Sequence, residues 1–163
     1  MLEANAAALR GSSVADLIRS TRLVAILRCI EPRSRLPELV AAQTAGAAFA
    51  VSPSLDTGLV ARSIELGLPF VAGAYSPTEI DLAWQAGATF VKLFPTSSLG
   101  PSHARELRGP FPEIECIATG GIDATNARAF LEAGCVAVGV GAAIARAEPA
   151  DRRALVAAVR GLP

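Results

Sequence analysis

The sequence predicts an α/β fold in which a parallel sheet is covered by helices. Three observations lead there. Short apolar runs recur about every 20–25 residues, helix-length segments separate them, and several of those segments close on an Ala-Gly or Leu-Gly step just before the next run.

The runs are Leu23–Leu27, Ala48–Val51, Leu68–Ala72, Thr89–Phe94, Ile114–Ala118 and Val136–Val140. Unbroken apolar runs of this length suit strands buried on both faces, as parallel strands are. Between them, Ser76-Pro-Thr-Glu79 has the form of a capping box, with Pro77 at the first helical position. Asp123 is placed to cap the helix that contains Asn126 to Glu132. Gly46, Gly67, Gly87 and Gly134 each suit a helix C-terminus, where a residue without a side chain turns the chain back toward a strand. A closed barrel and an open sheet both fit this rhythm.

Length and composition narrow the functional classes. The 163 residues are expected to form a single domain over 1–163, with an N-terminal helix at about 1–20 that carries charges throughout and does not read as a signal peptide. Acidic and basic residues balance at 15 each, and aromatics make up 5%. With no basic stripe and no stacking platform, no nucleic-acid partner is expected. No run approaches the roughly 20 apolar residues that span a bilayer, so a cytoplasmic protein without a membrane partner is expected. Cys29, Cys116 and Cys135 are odd in number and far apart, which suits buried reduced thiols better than a disulfide framework or a metal site.

Lys92 is the one lysine in the chain; the other fourteen basic residues are arginines. Strand alternation sets Phe90, Lys92 and Phe94 on one face and Val91 and Leu93 on the other. An amine among such neighbours is poorly solvated as a cation. Its pKa is expected to fall, leaving a neutral nucleophile for a carbonyl carbon. A strand-end lysine that reaches water is the competing reading. Against it, a site that needed only charge could have used arginine, which cannot form an imine.

Two glycine loops close the list. Thr119-Gly-Gly-Ile122 and Gly139-Val-Gly141 follow the last two runs. In a (β/α) barrel the loops after the final strands often take a phosphate on backbone N–H groups. Tight turns without a ligand would look the same.

Taken together, these segments resemble the 2-keto-3-deoxy-6-phosphogluconate (KDPG)/4-hydroxy-2-oxoglutarate aldolase family. The resemblance rests on Val24–Arg28, Phe49–Pro53, Pro69–Gly73 with Ser76–Glu79, Phe90–Pro95, Thr119–Ile122 and Ala137–Gly141, in that order. It implies a TIM-barrel-like (β/α) fold and a trimer. It also implies a Schiff-base mechanism that uses no cofactor and no metal: Lys92 forms an imine with a phosphorylated keto acid, and pyruvate is released. By the same resemblance Arg28, Pro53, Gly73, Phe94 and Thr119 face the substrate, and Gly120, Gly121, Gly139 and Gly141 hold its phosphate.

The chain departs from the family plan after Arg28. One helix, at about 35–44, leads directly to the run that matches the family's fourth strand. About two βα units, the second and third strands among them, have no counterpart. The family's proton-shuttling glutamate lies on that second strand. Glu79, Glu31 and Tyr75 are candidates to replace it, although a capping box already accounts for Glu79. The sole histidine, His103, reads as a solvated surface residue.

Three functions follow. The first is a carbon–carbon lyase cleaving KDPG to pyruvate and glyceraldehyde 3-phosphate, with 4-hydroxy-2-oxoglutarate as a further substrate. The second is an impaired homologue that only binds a phosphorylated ligand. The third is another phosphate-handling barrel of the thiamin-phosphate-synthase kind, against which Lys92 and the following Phe-Pro count.

Overall fold

A computed structural model of the chain describes residues 2–25, 35–145 and 147–160. The elements in order are α1 (Leu2–Arg10), α2 (Ser13–Thr21), β1 (Leu23–Ala25), α3 (Arg35–Thr44), β2 (Ala50–Val51), α4 (Thr57–Glu65) and β3 (Phe70–Ala74). They continue with α5 (Pro77–Gln85), β4 (Phe90–Leu93), α6 (Gly100–Leu107), β5 (Cys116–Thr119), α7 (Ala127–Glu132), β6 (Ala137–Val140), α8 (Ala142–Ala145) and α9 (Pro149–Arg160). All six apolar runs supply strands, and the sheet order is β1-β6-β5-β4-β3-β2. A closed ring of eight strands from which the second and third are removed would give this same order. The fold is therefore an incomplete TIM-barrel-like α/β fold, as the sequence predicts.

The N-terminal segment, expected as one helix, is two. The break falls at Gly11 and Ser12, where the Ser12 hydroxyl accepts from the N–H of Ala15 (3.3 Å) and starts α2.

Contacts divide the chain into two compact units: Met1–Leu17 with Ile30–Lys92, and Ile18–Cys29 with Leu93–Pro163. In the first unit β2 pairs β3 in parallel, Ala50 opposite Phe70 and Val51 opposite Val71. β3 is buried along its whole length. The Asp56 side chain caps α4 by accepting from the N–H groups of Gly58 and Leu59. The capping box of α5 forms as read from the sequence, with Ser76 and Glu79 each satisfying the other's backbone N–H. Gly46, Gly67 and Gly87 all adopt the left-handed conformation expected of them. At Gly87 a side chain is excluded on steric grounds as well, since a Cβ there would lie 2.8 Å from Ile64 and 3.0 Å from Ala6. Helix α1 is pinned by Arg10, whose guanidinium lies 3.7 Å from the centre of the Trp84 ring. It also donates to the carbonyls of Trp84 (2.8 Å) and Ala88 (3.1 Å), satisfying groups at the end of α5.

In the second unit β6 lies between β1 and β5. Val138 stands opposite both Leu23 and Ala118, and Gly139 opposite both Val24 and Thr119. Arg22, between α2 and β1, has φ 56°, a conformation uncommon for a residue with a side chain. Its N–H donates to Ile18 O, and its carbonyl accepts from Val138 N, which fixes the entry to β1. Arg19 forms a two-pronged pair with Glu115 (2.8 and 2.6 Å) just ahead of β5. Cys116 and Cys135 are free and buried, in keeping with the sequence reading; Cys29 lies outside the described residues. Burial pushes both thiols up to about 12, so they stay protonated and inert at neutral pH. Helix α7 packs on α9, which buries Leu155 and Val159.

Arg10→Ala removes two hydrogen bonds and one cation–π contact. It is expected to lower unfolding free energy by about 1–3 kcal/mol in urea melts. Trp84 emission, the chain's single indole signal, should shift to the red in native buffer as α1 loosens.

Candidate active site

The strand carrying the lysine is enclosed. In β4, Phe90 and Val91 are fully buried, Leu93 is buried, and Lys92 is 3% exposed. The side chain thus lies where the apolar sequence around it predicts, away from bulk water. Thr89 N–H donates to Phe70 O at 2.8 Å. In a parallel ladder that bond sets Val71 opposite Thr89 and hence Ala74 opposite Lys92. The small Ala74 thus lies beside Lys92 on its face of the sheet, while Tyr75 continues the other alternation set.

Nearby in the first unit, Gly73 and Pro53 are in close backbone contact. A Cβ on Gly73 would fall 2.3–2.5 Å from Pro53 C, Pro53 O and Ser54 N, so no side chain fits. The buried Ser52 hydroxyl donates to Ser54 O (2.6 Å) and accepts from Gly73 N (3.4 Å), fixing the loop after β2 against β3. Ser52 went unnoticed in the sequence, although a serine ahead of a proline at a strand end signals such a turn.

In the second unit the segment after β4 folds against the loop after β5. The Phe94–Pro95 peptide is cis. Thr96 N–H donates to Thr119 O, and the Thr96 hydroxyl donates to Gly120 O, both at 2.9 Å. Gly120 and Gly121 have φ values of 98° and 75°. A Cβ on Gly120 would lie 3.2 Å from the Phe94 ring and from Pro95, and one on Gly121 would lie 2.8 Å from Ser97. Both glycines are thus required by close packing as well as by conformation. Thr96, which clasps the two loops, is a second residue that the sequence reading passed over.

The loop is closed by turn hydrogen bonds. Asp123 Oδ1 accepts from the N–H and hydroxyl of Thr125, Asn126 Oδ1 accepts from Asp123 N, and Asn126 Nδ2 donates to Gly121 O. This corrects the expectation that Asp123 caps the helix. α7 begins only at Ala127, with Asn126 in the cap position and no side-chain cap bond. A short polar side chain can serve a turn as readily as a helix start. Gly141 follows β6, and its carbonyl accepts from the N–H groups of Ile144 and Ala145 in α8.

Thr119 differs from other buried polar residues of the chain. Ser63, Thr89 and Thr96 each make a hydrogen bond, whereas Thr119 Oγ1 is buried and has no partner among the described residues. Gly139 stands opposite Thr119 in the ladder. An orphaned hydroxyl beside a missing side chain is what a polar ligand group would satisfy.

The other candidates separate clearly. Arg28 and Glu31 lie outside the described residues. Glu79 Oε2 accepts from Tyr75 N, Ser76 N and Ser76 Oγ, and these bonds, those from Ser76 foremost, hold its carboxyl below the usual value. A carboxylate so engaged is a poor proton shuttle. Tyr75 is 43% exposed. His103, on α6, is not the fully solvated residue expected: its Nε2 is enclosed and has no partner among the described residues. Among those residues no three potential metal ligands come together, and no helix is long and apolar enough to cross a membrane.

The model of the KDPG and KHG aldolase family matches residues 32–158. The chain belongs to that family. It is 32% identical over 103 residues to the 2-dehydro-3-deoxy-6-phosphogalactonate aldolase of Escherichia coli, a match covering 63% of this chain and 50% of that one. It is 35% identical over 103 residues to the 2-dehydro-3-deoxy-phosphogluconate aldolase of Pseudomonas aeruginosa, covering 63% and 45%. Among solved structures, the 2-keto-3-deoxy-6-phosphogluconate aldolase of Zymomonas mobilis ZM4, determined with 3-phosphoglycerate, superposes with a TM-score of 0.63 at 25% identity, covering 77% of this chain and 61% of that one. The chain thus spans about half the length of these curated KDPG-type aldolases.

Glu79 tests the assignment of roles. Because its folded pKa is depressed, its contribution to stability is present above the unfolded value near 4.5 and fades as pH falls through the folded value. Glu79→Gln, which keeps a capping-box partner but removes the charge at the helix N-terminus, should cost about 0.3–1 kcal/mol at neutral pH, and the deficit should shrink in acid melts. A residue serving as general base would instead show a roughly 10²- to 10⁴-fold loss of rate on the same change.

Proposed function

We propose that this KDPG/KHG-type aldolase relative is a class I carbon–carbon lyase acting on a phosphorylated 2-keto-3-deoxy sugar acid, with KDPG the leading substrate. The observation that carries the reading is the buried Lys92, the single lysine of the chain, in a member of an aldolase family. The names of the relatives from E. coli and P. aeruginosa support the substrate class. The phosphorylated acid bound by the Z. mobilis protein supports a phosphate contact.

In this reading Lys92 Nζ, in its neutral form, attacks the C2 carbonyl of the keto acid. The carbinolamine loses water to give an iminium. Removal of the proton from the C4 hydroxyl breaks the C3–C4 bond, and the bonding pair moves into the iminium to form an enamine. Glyceraldehyde 3-phosphate leaves. Protonation of the enamine at C3 and hydrolysis of the imine return free Lys92 and pyruvate. The electron sink is the iminium itself.

Thr119 Oγ1 is assigned to the substrate carboxylate, which would complete its hydrogen bonding, and Arg28 to the same anionic end. The backbone of Gly120, Gly121, Gly139 and Gly141 is assigned to the phosphate, with Pro53, Gly73 and Phe94 shaping the pocket wall.

Borohydride added with pyruvate should reduce the imine and leave a 1-carboxyethyl group on Lys92, read by peptide mass spectrometry. Lys92→Arg should show none. Trapping without turnover of KDPG would leave imine formation standing and remove the lyase reading; no adduct on Lys92 would remove both.

Thr119→Val keeps the shape and removes the orphaned hydroxyl. Thermal stability should hold or rise by up to about 1–3 kcal/mol, the cost of an unsatisfied buried polar group. KM for the keto acid should rise about tenfold, the loss of one hydrogen bond to a charged group. A Thr119→Val protein that is destabilised with KM unchanged would assign the hydroxyl to packing.

A further inference from the structure

The end of the sheet opposite the glycine loops carries a cleft that the lyase reading does not use. Its volume is about 460 Å³, and it is lined by Arg22 ahead of β1, Glu115 ahead of β5, and Cys135 and Val136 ahead of β6. The three strands are parallel neighbours, so residues that precede them all lie at the N-terminal end of the sheet. Thr119 closes β5 at its other end, and the four residues of that strand set it roughly 13 Å from Glu115. Every residue lining the cleft belongs to the second unit. Small-molecule sites commonly run from about 300 to 1,000 Å³, so this one has room for an organic ligand.

Among the charged groups that line or touch the cleft, four arginines meet two glutamates. Arg19 lines it and holds Glu115 in the two-pronged pair, and Glu132, also in the lining, pairs with Arg128 of α7 at 2.8 Å. Both carboxylates are thus already engaged by arginine, and Arg22 and Arg108 stand in addition. Arg108, at the C-terminal end of α6, lays its side chain on Gly134 in the cleft wall. A Cβ on that glycine would fall 2.9 Å from Cδ and 3.2 Å from Nε of Arg108. The Arg108 charge also reaches the Cys135 thiol, where it opposes the effect of burial. This local excess of positive charge occurs in a chain whose formal net charge is zero.

Arg22 itself is out of pattern. Four other helices pass to the next strand through a glycine of positive φ, namely Gly46, Gly67, Gly87 and Gly134. The α2–β1 junction adopts the same left-handed region but carries an arginine, the one non-glycine residue there among the described residues. A side chain in that region has a steric cost that glycine avoids. The turn needs only the backbone, through Arg22 N–H to Ile18 O and Val138 N–H to Arg22 O. The cost is therefore borne for the side chain, which lines the cleft. The geometry points to a binding site here for a small organic dianion, separate from Lys92: a phosphate or a pair of carboxylates on a short carbon body. Guanidinium forks match phosphate and carboxylate alike, and Leu131, Cys135 and Val136 offer an apolar wall to the carbon body.

Amide NMR on the full chain tests this, with glycerol 3-phosphate and malate titrated separately at fixed ionic strength. At least one of them should shift the Gly134, Cys135 and Val136 amides saturably, and the tighter of the two tells whether the site takes phosphate or carboxylate. Arg22→Gly removes the guanidinium while suiting the turn, and Arg108→Gln removes the second one. A rise in the dissociation constant of about tenfold or more in either variant, the loss of a hydrogen bond to a charged group, supports the site. A constant that neither variant raises so far overturns it. So does the absence of saturable shifts with both anions, or shifts confined to Gly120 and Gly121, which would put the anion in the candidate active site. Should Arg22→Gly fail to fold, Arg108→Gln decides alone by the same measure. The readout does not involve Lys92, so failure of the lyase reading would leave this result standing.

Discussion

Enclosing a lysine side chain within a strand buried along its whole length constrains what surrounds it. Lysine ordinarily lays its methylenes on apolar surface and keeps its ammonium in water. At Lys92 the residue as a whole is 3% exposed, and taking an ammonium out of water costs several kcal/mol. Such a position is retained only where something requires an amine there. Arginine, which this chain uses at every other basic position, is always charged and cannot become a carbon nucleophile. The strand therefore bears a desolvation cost that an apolar residue at this position would spare.

The segment after β4 shows how closely the next loop must fit. Phe94, Pro95 and Ser97 lie where side chains on Gly120 and Gly121 would be, and Thr96 ties the two loops through both its N–H and its hydroxyl. Asp123, Thr125 and Asn126 then brace the loop from its far side. The loop is held by its own hydrogen bonds, independently of any ligand.

Much of this was legible in the sequence, and the failures are instructive. All six strands were readable because parallel strands are apolar without interruption, and the capping box at Ser76 was readable because its two partners lie three residues apart. The helix-ending glycines were found because φ above zero is costly for other residues. Asp123 was misassigned because a helix cap and a turn share one short-range signature, and only the position of the first helical hydrogen bond separates them. His103 was misjudged because the sequence does not say which way a side chain on α6 points. Ser52 and Thr96 were missed for a related reason: each acts through a backbone group about twenty residues away, at a separation that no local pattern reports.

Packing and binding also leave different marks on the candidate site. Each glycine in the loop after β5 has a sufficient structural reason, since its conformation or its neighbours exclude a side chain. A glycine pair would be found there whether or not a phosphate ever bound, so the pair alone does not discriminate. Thr119 is different. Valine would fill the same space and spare the cost of a buried hydroxyl without a partner, a cost large enough for a packing role alone to favour the change. Packing thus accounts for the glycines of this loop but not for the Thr119 hydroxyl, which is buried without a partner among the described residues.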